Sequence, residues 1–290
     1  MSTNITSNET DTRVPPPPEP KRPSATRPIM VLVAVIGGLT LLVIMLTTIF
    51  SSAIGLNRGA ATTTADATGV TSLTVDAGAS RFDVEFSDVD EATLETNGLN
   101  ADRWNLTRQG TDLTVEAPSL WTNWCLFNCS NNGTQVTLVL PEDLNDGNLS
   151  ADLDLSAGRL NATGDFDQLA FELGAGEAII NGSARALDAQ LNAGSANVQL
   201  ADVETAELEV SAGRLETELT GSAPATVDAE VSAGRLDLTL PDVAYAVDSD
   251  ISAGNLDNGL QTSSASDHRI GIQVSAGNAT LRAGENPNGQ

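Results

Sequence analysis

Residues 206–219 read AELEVSAGRLETEL, and residues 228–240 repeat the phrase as DAEVSAGRLDLTL. The tetrad xAGx inside it returns at Gly158 (SAGR), Gly176 (GAGE), Gly194 (NAGS), Gly213 (SAGR), Gly234 (SAGR), Gly254 (SAGN) and Gly277 (SAGN), with an outlying copy at Gly78 (DAGA). Successive spacings from Gly158 are 18, 18, 19, 21, 20 and 23 residues. Self-similarity at such a period marks a supersecondary unit stacked many times over.

The residues flanking each tetrad identify the unit. Leu208, Val210 and Ala212 alternate at period two before Gly213, and Leu215, Thr217 and Leu219 alternate after it, one residue out of step. The same slip recurs at Ala157/Leu160, Ala175/Ala178, Ala193/Ala196, Ala233/Leu236, Ala253/Leu256, Ala276/Ala279 and Ala77/Ser80. In a straight strand a one-residue slip turns every later side chain to the wrong face. The chain must therefore bend at each tetrad, with the alanine expected inside the corner and the glycine, which reaches backbone angles closed to other residues, outside it. The pattern predicts an all-β, single-stranded β-solenoid with about seven regular coils.

Composition divides the rest of the chain. Residues 1–28 are polar and Pro-rich, without apolar periodicity, and are expected to be a disordered cytoplasmic tail. Residues 29–50, IMVLVAVIGGLTLLVIMLTTIF, carry no charge over 22 positions. As a helix they would be about 33 Å long, enough for a hydrocarbon core of about 30 Å. The apolar run is longer than a signal peptide's and follows a long polar leader, which favours an uncleaved transmembrane helix, although Ser51-Ser52-Ala53 offers a poor cleavage site. Lys21, Arg22 and Arg27 precede the span and only Arg58 closely follows it, so the N-terminus is expected in the cytoplasm and the C-terminal domain outside the cell membrane. Residues 51–70 read as a flexible linker, 71–150 as an N-terminal β capping region with a hairpin turning at Gln109-Gly110, 151–282 as the repeat solenoid and 283–290 as a disordered tail.

Beyond residue 50 the chain has ten arginines, no lysine and 36 acids, a net charge of −26. Such a surface repels phosphate and excludes nucleic acid as a partner. Much of the acidity is periodic. Asp154, Glu172, Glu209, Glu230 and Asp250 stand four residues before a repeat glycine, and Asp152, Asp188, Glu207, Asp228 and Asp248 stand six before one. All point outward by parity, so stacked rungs about 4.8 Å apart should align them as a two-lane acidic face. That face is either a solvated surface that discourages edge-to-edge aggregation, or a contact for a cationic wall component, a protein or weakly bound calcium. No cofactor is expected.

Cys125 and Cys129 are the only cysteines, and they lie in the loop SLWTNWCLFNCSNNG at 119–133. In an extracellular segment they are candidates for a local disulfide; the spacing is not the redox C-x-x-C, and zinc would need further ligands. Trp121, Trp124, Leu126 and Phe127 make this the most apolar loop outside the span, packed on the cap or exposed as a contact. Catalysis finds little support. His268 is the only histidine, and paired carboxylates such as Asp152 and Asp154, which a glycoside-cleaving site would need, repeat as one outward position. PPPP at 15–18 leaves room for a regulatory reading, an envelope-stress sensor or accessory protein docking a cytosolic partner.

The order SLTVDAGASRFDVEF, GTDLTVEAP, VTLVLPEDL and then LDLSAGRLNATG with its echoes resembles the bacterial putative-adhesin family of β-solenoid domains, of head-GIN style, over residues 70–282. The resemblance implies a surface-exposed, non-enzymatic domain of unassigned function, in a family whose members often carry an N-terminal span. It supplies no catalytic or ligand residues. The reading that follows is a membrane-anchored envelope protein whose solenoid serves adhesion or partner docking.

Overall fold

The computed structural model describes residues 58–118 and 133–284. The strands are β1 (Arg58–Asp66), β2 (Ser72–Asp76), β3 (Ala79–Ser87), β4 (Glu91–Leu99), β5 (Asn105–Gln109), β6 (Asp112–Glu116), β7 (Gln135–Pro141), β8 (Leu149–Leu155), β9 (Ala157–Ala201), β10 (Thr205–Thr220), β11 (Thr226–Val231), β12 (Arg235–Leu240), β13 (Ala244–Ile251), β14 (Asn255–Asn258), β15 (Gln261–Thr262), β16 (Arg269–Val274) and β17 (Asn278–Ala283). Two single-turn 3₁₀ segments, Ala101–Arg103 and Glu142–Leu144, are the only helical pieces among the described residues. The described part is all-β and built from parallel rungs. Each repeat rung has one wall ending at a tetrad and a second wall beginning after it, and the inner faces of both are lined mainly by Leu, Val, Ile and Ala.

Through the middle of the stack, rungs follow chain order. Residues 205–210 of β10 pair in register with 186–191 of β9 and 226–231 of β11, and residues 214–218 pair with 195–199 and 235–239. Order breaks at both ends. β16 pairs with both β11 and β13, and β17 with both β12 and β14. The C-terminal rung, 269–283, is thus inserted between 226–240 and 244–258, and the last rung of the stack is built from earlier chain. Likewise β2 lies between β6 and β8, and β3 between β7 and β9. The first rung in the sequence is second in space.

The corner is wider than its spacing predicts. Val210 and Leu215 are buried, whereas Ser211, Ala212, Gly213 and Arg214 lie at the rim or outside. Inward residues are five apart rather than three; an odd interval still exchanges faces, so the parity switch holds, but alanine is not the inner corner residue. Ala157 and Ala193 are half-buried, and Ala175, Ala212, Ala233, Ala253 and Ala276 are exposed. Apolar walls pack about 10 Å apart, and three extended residues at about 3.3 Å each bridge that gap only in a straight line, while five leave slack for the turn.

Glycine is required for a different reason, close approach along the stack. A Cβ on Gly176 would stand 1.9 Å from the carbonyl oxygen of Gly158, one on Gly194 2.1 Å from that of Gly176, and one on Gly213 2.6 Å from that of Gly194. The column continues through Gly234 and Gly277 to Gly254, again out of chain order. Gly158, Gly176 and Gly194 also hold φ of +131°, +131° and +120°. The outlying Gly78 is not in this column: the register sets Ser80 opposite Gly158. Its corner is the tight one, with Ala77 and Ser80 both buried and the Ser80 hydroxyl donating to the Ala77 carbonyl at 2.9 Å.

The N-terminal end of the stack is covered. β5 pairs antiparallel with β6 through the expected turn, where Gly110 has φ +66°, and β4 pairs antiparallel with β7. β1 then pairs antiparallel with β4 along its whole length. Residues 58–66, expected within a flexible linker, are therefore a strand of this cap; RGAATTTAD does not alternate, but its run of β-branched Thr62, Thr63 and Thr64 suits an edge strand, which the small-polar composition concealed. Phe82 stacks on Trp104 with centroids 6.2 Å apart, tying the first chain rung to the cap. Residues 71–150 hold the walls of two rungs, β2 with β3 and β6 with β7, besides their capping strands.

Candidate interaction face

The register builds the acidic lanes directly. One lane runs Asp152, Ala170, Asp188, Glu207, Asp228, Gly271, Asp248, and the other Asp76, Asp154, Glu172, Gln190, Glu209, Glu230, Gln273, Asp250. All ten predicted acids fall on this face, on side chains turned away from the core. The interleaved rung matters here. Gly271 and Gln273, both neutral, separate Asp228 and Glu230 from Asp248 and Asp250. Two unit charges about 4.8 Å apart in water repel by about 1 kcal/mol, so chain-order stacking would have set two acidic rungs against each other. A Cβ at position 271 would lie 2.6 Å from Asp228 Oδ1, so the missing side chain also leaves that carboxylate its place.

Partial burial raises the pKa of Asp154 above the ordinary carboxylate value, and Glu172, Asp76 and Asp152 raise it further. Two open grooves follow the face along the stacking direction. One, of about 670 Å³, is edged by Ser72, Ser150, Thr205 and Thr226 on one side and by Asp152, Asp188, Glu207 and Asp228 on the other. The second, about 320 Å³, runs between the two acidic lanes over the last four rungs.

Beyond the corner a different column forms: Arg81, Arg159, Glu177, Ser195, Arg214, Arg235, Asn278 and Asn255. Arg159 forks onto Glu177 Oε2 at 2.6 and 3.0 Å, and Arg214 reaches Asp237 at 2.9 Å. Arg185 makes a two-pronged contact with Asp167, 2.7 and 3.1 Å. These rung-to-rung pairs are solvent-exposed and each is worth about 0–1 kcal/mol. They hold side chains in register more than they stabilise the fold.

No group of three or more His, Cys, Asp or Glu is arranged to hold a metal ion among the described residues. The lanes run as ladders, with at most one carboxylate per rung in each lane, rather than converging. His268 packs against Tyr245 at 5.9 Å and its Nδ1 is 2.8 Å from the Pro224 carbonyl. Tyr245 is fully buried and donates to the Pro241 carbonyl at 3.0 Å, and burial pushes its pKa to about 12. Phe171 is buried facing the core, and Phe166 is buried too, edge-on to Phe86. Cys125, Cys129 and the tryptophan loop lie outside the described residues, as does the apolar stretch 29–50; no described helix is long and apolar enough to cross a membrane.

Sequence reasoning missed the second corner, which joins one rung to the next. There Gly182 stacks on Gly164, with φ +130° and a Cβ that would fall 1.9 Å from the Gly164 carbonyl. Asp202 takes positive φ, +58°, and its carboxylate accepts from the Ser222 amide at 3.0 Å. The faint signal was a recurrent Gly or Asp after the second wall, in TGD, NGS and LAD.

Comparison with known proteins gives several similar crystal structures. A putative adhesin from Parabacteroides merdae is 15% identical, covering 79% of this chain and 98% of its own, with a TM-score of 0.44. A putative cell adhesion protein from Clostridium sporogenes is 9% identical over 79% of this chain and 100% of its own, TM-score 0.37. A protein from Parabacteroides distasonis described as a putative lipid binding protein is 12% identical over 79% and 98%, TM-score 0.37. No curated protein matches the sequence. The family profile of Toastrack DUF4097 matches residues 70–288, the rungs and the capping strands β4 and β5 together, and the chain belongs to that family.

Proposed function

We propose that the protein is a single-pass, membrane-anchored component of the cell envelope whose acidic solenoid, outside the cell, is a non-catalytic adhesion or interaction module. The observation that carries this reading is the in-register ladder of outward carboxylates, Asp152 to Asp248 and Asp76 to Asp250, bordered by open grooves that run the length of several rungs. A rigid surface with up to two charges per rung suits an extended cationic partner, a wall component or a basic protein, because successive contacts add without reordering the chain. The uncharged run at 29–50, preceded by Lys21, Arg22 and Arg27, supports the anchor and its orientation.

Protease added to intact cells tests the location: the solenoid should be removed while residues 1–28 stay protected. Capture of envelope components by the full chain tests the face. Replacing Glu207, Glu209, Asp228 and Glu230 by their amides should reduce capture at least tenfold, and undiminished capture would rule out the acidic lanes as the contact.

A further inference from the structure

The two ends of the stack are built differently. At the N-terminal end β4, β5 and β1 cover the outermost rung. At the other end β13 and β14 form the last rung, and beyond its first two residues β13 has no strand on its outer side among the described residues. β15 occupies only Ala244 and Tyr245. Main-chain groups of a strand alternate sides. Ala246 donates to the His268 carbonyl and Ser252 to the Val274 carbonyl, so that set is spent on β16. The groups of Val247, Ser249 and Ile251 consequently aim at the open edge.

The side chains at this edge are as distinctive as its backbone. Ile251, 36% exposed, is the one exposed large hydrophobic among the described residues, and Val247 and Leu256 are only partly covered. Asp248 and Asp250 end both acidic lanes beside them. A second copy of this edge would bring its own Asp248 and Asp250 to the same place, and its charge opposes such pairing.

We infer that β13 is a strand-addition site for a basic extended segment of a partner protein. The added strand hydrogen-bonds to Val247, Ser249 and Ile251, sets Lys or Arg beside Asp248 and Asp250, and lays alternate apolar residues over Val247 and Ile251. Main-chain bonds supply affinity and the alternating pattern supplies selectivity. This rests on the reading of the protein as an interaction module and gives that module an end-on site separate from its long face.

The test uses the full chain in detergent micelles and a synthetic peptide, acetyl-Val-Lys-Val-Lys-Val-Lys-Val-amide, with a counterpart N-methylated at alternate residues. Ser249→Pro removes one outward donor without touching the bonds to β16. The expected result is saturable binding that weakens at least tenfold with Ser249→Pro and with the N-methylated peptide, with thermal unfolding of the variant unchanged. Glu216→Gln with Glu218→Gln, on the second wall, should change the affinity less than twofold, and Glu207→Gln with Glu209→Gln, mid-stack, reads the long face separately. Equal binding of both peptides, insensitivity to Ser249→Pro, or no binding of the unmodified peptide overturns the strand-addition site. Loss of peptide binding only in the mid-stack variant overturns it too, while leaving the acidic face as the contact. A dimer of the full chain that dissociates with Ser249→Pro would identify a second copy as the occupant and also overturn the proposal.

Discussion

The middle of the stack and its C-terminal end are made from the same phrase and obey different constraints. Gly176, in the middle, has a rung on either side, and Gly254, with nearly the same neighbours in sequence, has one only on the side of Gly277. The hypothetical Cβ at both positions is too close to a carbonyl oxygen, 1.9 Å at Gly176 and 2.3 Å at Gly254. What differs is the freedom to give way. A clash in the middle must push two stacks of rungs apart, whereas the last rung can tilt outward.

Substituting these two glycines should therefore separate the regions most. Gly176→Ala also forces a side chain onto φ +131°, and it should cost more than about 4 kcal/mol in denaturant unfolding or prevent folding. Gly254→Ala should cost about 1 kcal/mol, and equal losses would mean that the last rung is held as firmly as the rest. The inner ladder gives the next contrast. Leu238, fully enclosed between Thr217 and Leu281, should lose about 2–5 kcal/mol on truncation to Ala, while Ile251→Ala should stay within about 0.5 kcal/mol.

Two changes should sharpen the comparison by stabilising the middle. Thr217 is buried in a column of Val198, Leu238 and Leu281, and its Oγ1 has no hydrogen-bond partner among the described residues. Thr217→Val removes that buried hydroxyl and should add about 1 kcal/mol. Asp154→Asn should add less, on the order of 0.3 kcal/mol after allowance for solvent screening. Its sign depends on pH. The folded-state pKa of Asp154 is raised by burial and by its acidic neighbours, so its charge disfavours the folded chain at neutral pH. That penalty fades as pH falls through the raised pKa. The gain from Asp154→Asn, measured by unfolding at pH 7, should accordingly vanish in acid.

The repeat was legible because three signals coincided: the glycine period, the two-residue alternation and the change of parity at every tetrad. Leu208, Val210, Leu215, Thr217 and Leu219 are all inward as the alternation requires. Alanine was misplaced because parity fixes only whether an interval is odd, and three and five are both odd; the separation of the walls decides between them. The acidic lanes were legible for the same reason as the core, since outward residues share its period. Rung order at the ends was not legible. The spacing of 23 between Gly254 and Gly277 is the longest of the series, but length alone does not say which way the chain steps. Neutral Gly271 and Gln273 amid charged equivalents were the other trace. β1 went unread since an edge strand of Ala and Thr lacks the strong alternation of a buried one.

The interleaved order is the claim on which both the end-on site and the charge spacing depend. It can be tested with cysteine pairs at the corner lane in a background carrying Cys125→Ser and Cys129→Ser, followed by mild oxidation. Position 235 is in register with 278, and 278 with 255; adjacent rungs about 4.8 Å apart permit a disulfide, while a two-rung gap of about 9.6 Å does not. The structure predicts rapid cross-linking for Arg235→Cys with Asn278→Cys and none for Arg235→Cys with Asn255→Cys. Efficient cross-linking of 235 to 255 would contradict it.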